Sequence, residues 1–269
     1  MPNKMLRIYQ RMAQVNWAEQ WQYRANLFMY ILYGLVTPIV YIAVWTSIAN
    51  AQGSVSGLTA NDFIVYYMIM LLVDQVTGET VIYNFVYKIQ DGSLSSEVIL
   101  PVHPLLTRTL MNNLAFKVMT TFVLIPVWIL LSLLFQPTFA SVTLTNVLLA
   151  IPSLIFGFAI NFLLSSTIVC IAFWTTRVWA LYRLYGIPVA LFSGQFVPLQ
   201  LMPKIIQTMS IYLPFQLFKY FPTQLILGNL STHDIILGYS MDIVWLVVVY
   251  IVFRFAWRAG LKQYTAVGA

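Results

Sequence analysis

Charge is scarce in this sequence. Only 8% of its 269 residues are Asp, Glu, Lys or Arg, against about a quarter in ordinary soluble domains. So few charges cannot coat a water-facing surface, and 60% of the chain is hydrophobic. The composition implies an all-α integral membrane protein with no room for a separate soluble domain of about 100 residues. Cysteine is almost missing too. Cys170 stands alone in an apolar run, which excludes a disulfide within the chain and reads as a small buried hydrophobe. His103 and His233 are each isolated, so no metal is assigned. No G-x-x-x-x-G-K-[ST] run exists to cradle phosphates, and neither G-x-S-x-G nor H-E-x-x-H is present. Ser193-Gly194 superficially suggests an intramembrane serine nucleophile, but no histidine lies in a span where it could take the proton. No catalytic residue is assigned, and a membrane-embedded lipid enzyme has no constellation to support it.

Apolar runs cover about 27–49, 62–86, 109–135, 144–173, 184–200 and 237–257. Most approach or exceed the roughly 20 residues that cross a bilayer. The first ends in Ala49-Asn50-Ala51, which has the form of a signal-cleavage site, but the run is too long and starts too late, so it reads as a retained span. Residues 1–26 are too polar to insert. Lys4, Arg7 and Arg11 share one helical face while Met5, Ile8, Met12 and Val15 share another, the pattern of an amphipathic helix in the membrane interface. A solvated helix packed on a partner is the alternative.

Six spans put both termini on one side. That side then holds Lys4, Arg7, Arg11, Arg24, Lys88, Arg108, Lys117, Arg177, Arg183, Arg254, Arg258 and Lys262, against Lys204 and Lys219 opposite. Cytoplasmic loops carry the excess of Lys and Arg, so this bias places the termini in the cytoplasm. The same distribution gives no basic stripe, so the net charge of +6 does not point to nucleic acid. The expected organisation is an interface helix over 1–26, a membrane domain over 27–257 and a cytoplasmic tail over 258–269.

Three stretches depart from plain apolar helix. Between Phe192 and Gly228, Pro198, Pro203, Pro214 and Pro222 forbid one continuous helix. Broken backbone survives at membrane depth only where protein or water covers it, so 199–230 reads as short re-entrant helices on the outer side. On the cytoplasmic side, Asp91 or Ser93 can cap a short helix over about 93–100 that Pro101 stops. Leu94, Ile99 and Leu100 are then available to a partner; an ordinary capped loop is the alternative. The second span contains Asp74, Gln75, Thr77, Glu79, Thr80 and Asn84. Carboxylates in a span are costly and functional by default. On a continuous helix Asp74 and Glu79 point about 140° apart, a poor pair for shared acid–base work. One could face a cavity while the other bonds a neighbouring helix, or both could be structural.

These residues together resemble the ABC-2-type permeases, the membrane subunits of ATP-binding-cassette exporters. The resemblance rests on the interface helix before six spans, on Gly92-Ser-Leu94…Leu100-Pro101, and on Ser193-Gly194…Pro198…Pro203 followed by Leu213-Pro214. The tail Tyr220-Phe-Pro222…Leu227-Gly228 is similar to the branch whose permeases come in pairs. The loop before Gly92, with Lys88 and Asp91, departs from the denser charge run of many members. The resemblance implies a cytoplasmic ABC ATPase dimer and a second six-span permease, identical or paralogous, as partners. It implies that ATP and Mg are bound by the ATPase and no cofactor by this chain. The coupling stretch would comprise Gly92, Leu94, Glu97, Leu100 and Pro101. Lys4, Arg7 and Arg11 of the interface helix would brace the same contact against membrane lipids. Ser193, Gly194, Pro198, Pro203 and Pro214 would form an extracellular gate. Asp74, Thr77, Glu79 and Asn84 are candidates for the path. A secondary transporter or channel using Asp74 and Glu79 as a relay is the rival reading.

Overall fold

The computed structural model describes residues 2–22 and 24–264. Among them the chain is helical throughout, without a strand; a lone bridge joins Val55 and Leu58 in a turn. α1 (Pro2–Gln22) is the polar N-terminal helix, and it packs along α6 (Leu110–Phe135). The side chains of Lys4 and Arg7 lie outside the described part. Arg11 is exposed, as are Trp17 and Trp21.

Five helical segments are long and apolar enough to cross a membrane among the described residues: Phe28–Gln52, Ala60–Gln90, Pro104–Phe135, Leu144–Phe173 and Thr232–Gln263. The first belongs to α2 (Arg24–Gln52). The second is two helices, α3 (Ala60–Thr77) and α4 (Val81–Gln90). After α5 (Leu94–Val98), a π-helical turn over Pro104–Thr109 leads into α6. α7 (Leu144–Cys170) and α11 (Thr232–Gln263) complete the set. Side chains of Thr59, Thr143 and Ser231 cap α3, α7 and α11 by accepting backbone N–H bonds, which satisfies donors that a helix start leaves orphaned.

Two expectations about the spans change. The run 62–86 is not one helix. The run 184–200 is replaced by α8 (Val178–Phe192), only 15 residues long. It begins earlier than hydropathy indicates, so Arg183 rides on the helix, and it ends at Ser193. There Gly194 turns with φ +73°, a left-handed conformation suited to glycine, and Pro198 follows. The proline-broken stretch forms α9 (Lys204–Tyr212) and α10 (Tyr220–Leu227), with 3-10 turns at Leu199–Leu201 and Pro214–Phe218.

α7 is the hub, packed by α3, α4, α10 and α11. One core cluster joins Phe63, Tyr67 and Met68 of α3 to Phe218, Phe221 and Leu225. Another, toward the opposite end, joins Phe85, Leu94, Phe173, Phe253 and Trp257. Gly157 of α7 lets the Pro214–Phe218 turn lie directly on the helix. A Cβ there would meet Phe218 Cα at 2.9 Å and the Leu217 carbonyl at 3.0 Å. Both are backbone, which cannot swing aside. Gly157→Val should therefore lower stability by about 1–3 kcal/mol through overpacking, measured as a lower midpoint of thermal unfolding in detergent, whereas Gly34→Ala, with open space around it, should not.

Candidate functional site

The break between α3 and α4 organises the interior. Thr77, Gly78 and Thr80 are weak helix formers, and the chain leaves helical geometry at Gly78 (φ −60°, ψ 163°). The carbonyls released there must find donors, because lipid offers none. The Gly78 N–H still makes the last helical bond, to Asp74 O at 2.8 Å, and side chains reach the carbonyls of Gln75 and Thr77. Lys117 Nζ of α6 donates to Gln75 O at 2.8 Å, and Asn161 Nδ2 of α7 donates to Thr77 O at 3.0 Å. Gln75 Nε2 returns bonds to Lys117 O, Thr120 Oγ1 and Thr121 Oγ1 at 3.1, 2.6 and 3.1 Å. Asn113 donates to Thr80 Oγ1 at 3.1 Å.

Beside the break lies a cavity of about 390 Å³ between α2, α3, α6 and α8. Its polar walls include Asp74, Glu79, Asn113, Lys117, Asn161, Tyr182, Tyr185, Gln195 and Lys219; Tyr30, Tyr33 and Tyr83 stand toward its rim. Unwinding at Gly78 thus turns Asp74 and Glu79 toward one space, correcting the 140° separation of a continuous helix. Thr77 and Asn84, expected beside them, are not in the wall. Thr77 is buried and donates to Val73 O, and Asn84 is exposed and donates to Thr80. Both corrections have one cause, since the helical stripe assumed there is interrupted.

Each carboxylate has fixed partners. Asp74 Oδ1 pairs with Lys219 Nζ at 2.6 Å, and Lys219 also donates to Gln195 Oε1 at 2.7 Å. Glu79 accepts from Val81 N at 2.6 Å, Ser165 Oγ at 2.7 Å and Tyr182 OH at 2.9 Å. Lys117 and Lys219, counted on the sequence as loop charges on opposite sides, both stand in the cavity wall. The sequence shows Lys117 inside an apolar run, which was the available signal. For Lys219 there was none beyond its place among the prolines.

One end of the cavity is shut by residues 193–200. Ser193 is buried; Tyr66 OH donates to Gly194 O at 2.7 Å, and Tyr67 OH donates to Phe196 O at 3.0 Å. Together with Lys219 on Gln195, three successive residues are pinned to α3 or its ion pair. Pro198 and Pro203 precede the Leu199–Leu201 turn and α9, and Pro214 opens the next turn. Beyond this plug lies a second polar pocket of about 220 Å³ with Asn61, Gln200, Gln224 and Asn229 in its wall.

A family model described as "ABC-2 family transporter protein" matches residues 21–268. The chain belongs to the ABC-2 transporter family. Comparison with curated proteins and with solved structures finds no match. It is therefore a multi-pass membrane permease, and members of its family are membrane transport subunits that work with ABC ATPases.

The other end of the permease carries the 91–103 loop. α5 is barely more than one turn, shorter than the stretch 93–100 expected. Asp91 Oδ1 accepts from Ser93 N at 2.9 Å, and this bond holds the exposed Asp91 carboxyl below the usual range. Leu94 is not available to a partner: it is fully buried in the permease's own core. Glu97 is buried too, 2.8 Å from Lys88 Nζ and 3.6 Å from Arg108 Nη1. Tyr264 OH donates to Gly92 O at 2.7 Å and accepts from Ser95 N at 3.2 Å, so the tail clasps the loop. What remains exposed is Val98, Ile99 and Leu100, with Ile99 at 83%, followed by Pro101. His103 Nδ1 accepts from Leu105 N and Leu106 N at 3.2 and 3.1 Å, its ring 4.8 Å from that of Trp257. Asp242 of α11, overlooked in the run 237–257, is fully buried with both oxygens unpartnered, and no contact accounts for it.

Two outcomes follow from these bonds. Asp74→Asn strands the buried Lys219 ammonium and should cost about 1–3 kcal/mol, less than a fully buried pair because Asp74 is half open; Asp74→Asn/Lys219→Gln should regain part of it in the same thermal assay. Burial, then Arg254, holds the His103 imidazole below its usual value. The unfolded chain therefore binds that proton more readily, and stability from this site is lost as pH falls through the ordinary histidine range toward the folded value. Protonation also removes the acceptor at Nδ1. Relative to the intrinsic exchange rate at each pH, protection at Leu105 and Leu106 should fall as pH drops from about 6.5 toward the lower folded value, and that fall should be absent in His103→Asn.

Proposed function

We propose that this permease is the non-catalytic six-span subunit of an ABC exporter of the plasma (inner) membrane. Alongside the five long segments, α8 supplies the remaining span, fifth in chain order, too short by apolar length alone but continued by residues 193–197. The observation that carries this reading is the charged, hydrogen-bonded cavity beside the α3–α4 break, plugged at one end and approached at the other by a loop with an exposed apolar tip. Such a cavity in a membrane bundle is costly unless it serves a path. The proline-broken stretch 199–230 serves as re-entrant outer helices and gate, the plug at Ser193, Gly194 and Pro198 being its inner edge. With Lys117 and Lys219 set aside as cavity residues, basic residues divide eleven against one, which still favours cytoplasmic termini.

The cavity is lined by both α2 and α8, including Tyr33 and Gly186, and Tyr33, Leu184 and Ile187 are exposed on those helices. A second permease, a copy or a paralogue, covers this side, because polar walls cannot face lipid. The ATPase docks on Val98–Pro101 and binds the ATP and Mg. Force reaches the break through Lys88–Glu97 and α4. The relay alternative gains no support, since Asp74 and Glu79 are each occupied by fixed partners.

Purified in mild detergent from its own membrane, the permease should bring down an ABC ATPase and a second permease. Transport by this chain alone in proteoliposomes, driven by a proton gradient, would overturn the assignment. Ile99→Asp and Leu100→Asp should abolish ATPase co-purification while leaving the folded permease at wild-type yield. Leu94→Asp should instead lower its stability by about 3 kcal/mol or more, because it buries a charge, measured by thermal unfolding without ATPase.

A further inference from the structure

We propose that the Lys117 corner of the cavity binds an anionic oxygen group, a phosphate or a carboxylate, on the transported molecule. This deepens the reading of the cavity as a path. It also reverses the sign that Asp74 suggests, because Asp74 already holds an internal cation.

Four charged side chains stand in the cavity wall: Asp74, Glu79, Lys117 and Lys219. Asp74 and Lys219 neutralise each other at 2.6 Å, and Lys219 has a second acceptor in Gln195. Glu79 is surrounded by three donors, two side-chain hydroxyls and a backbone N–H. Lys117 is different. Among the described residues no carboxylate lies within salt-bridge distance of it. Its ammonium makes one bond, to the neutral carbonyl of Gln75, and rests 5.2 Å from the centre of the Phe158 ring. An ammonium has three N–H donors, so two remain unused at this half-buried group in the cavity wall.

A second group points to the same ligand. The Tyr185 hydroxyl, in the wall of the same cavity, is buried and has no partner. A buried hydroxyl without a bond is costly. Lys117 from α6 and Tyr185 from α8 thus offer N–H and O–H donors within the wall of one cavity, the set that a phosphate or carboxylate takes as charge-assisted bonds. Gln75 fixes Lys117 in place without satisfying it.

The test measures binding without any ATPase, so its failure is separate from failure of the ABC assignment. The purified permease is placed in nanodiscs of phosphatidylcholine, with or without phosphatidylglycerol, and inorganic phosphate is titrated separately. Retained phosphatidylglycerol is read by native mass spectrometry and phosphate by the shift in thermal midpoint. At least one probe should bind, and Lys117→Gln should weaken it by about tenfold, with Lys117→Arg restoring most of the affinity. Tyr185→Phe, which keeps the packing, should weaken it by about threefold or more. Arg258→Gln, an exposed residue far along the chain in the tail end of α11, should have no effect. Binding of phosphatidylglycerol alone would assign the anion to a lipid headgroup; binding of phosphate would assign it to a soluble molecule, and either supports the site. Should Lys117→Gln fail to fold, Tyr185→Phe decides. Wild-type affinity in the folded Lys117→Gln and Tyr185→Phe variants, or no binding of either probe to the wild type, would overturn the proposal.

Discussion

The bundle depends on how it satisfies three residues of non-helical backbone, Gly78 to Thr80, inside its second apolar segment. Unwound backbone in lipid leaves carbonyls without donors, each costing several kcal/mol. This chain supplies those donors from its neighbours: Lys117 from α6 and Asn161 from α7 reach the freed carbonyls of Gln75 and Thr77. That requirement puts a lysine and an asparagine in the interior. It also turns Asp74 and Glu79 into one cavity, and so creates the polar space on which every functional reading rests.

The same segment links the two ends. Above the break, α3 pins the plug through Tyr66, Tyr67 and the Asp74–Lys219 pair. Below it, α4 ends at Lys88, whose ion pair with Glu97 holds the 91–103 loop, while Tyr264 clasps that loop from the tail. In the proposed exporter, a push on Val98–Leu100 arrives at a joint between two rigid helices. A helix bends where its hydrogen-bond ladder is interrupted, so the joint is the place where such a push would change the cavity. The Asp74–Lys219 pair ties the plug to α3, on the far side of that joint from the loop.

Much of the fold was legible in the sequence. Apolar length located the five long segments, because bilayer thickness sets helix length irrespective of neighbours. Four prolines within Phe192–Gly228 marked the broken stretch, because proline acts on its own turn. The loop motif Gly92…Pro101 was visible, and its exposed tip falls at Ile99 and Leu100. The break at Gly78 was not anticipated, since a single glycine costs a helix only about 1 kcal/mol and apolar stretches continue on both sides of it. Leu94 misled for a related reason: a leucine on a short loop helix looks the same whether it meets a partner or the chain's own Phe253 and Trp257. Asp242 is a single acid near the start of an apolar run, where the interface would ordinarily hold it, so its full burial does not show in the sequence.

What the sequence by itself determined is the medium and the punctuation. A chain this poor in charge must live in lipid, and its prolines must end helices, because both effects act on each segment alone. The pairing of Asp74 with Lys219, the burial of Leu94 and the exposure of Lys117 to a cavity were decided only by tertiary structure. Each joins residues that no local rule relates, and each depends on which helices pack against α7 and where α3 lets go of its own ladder.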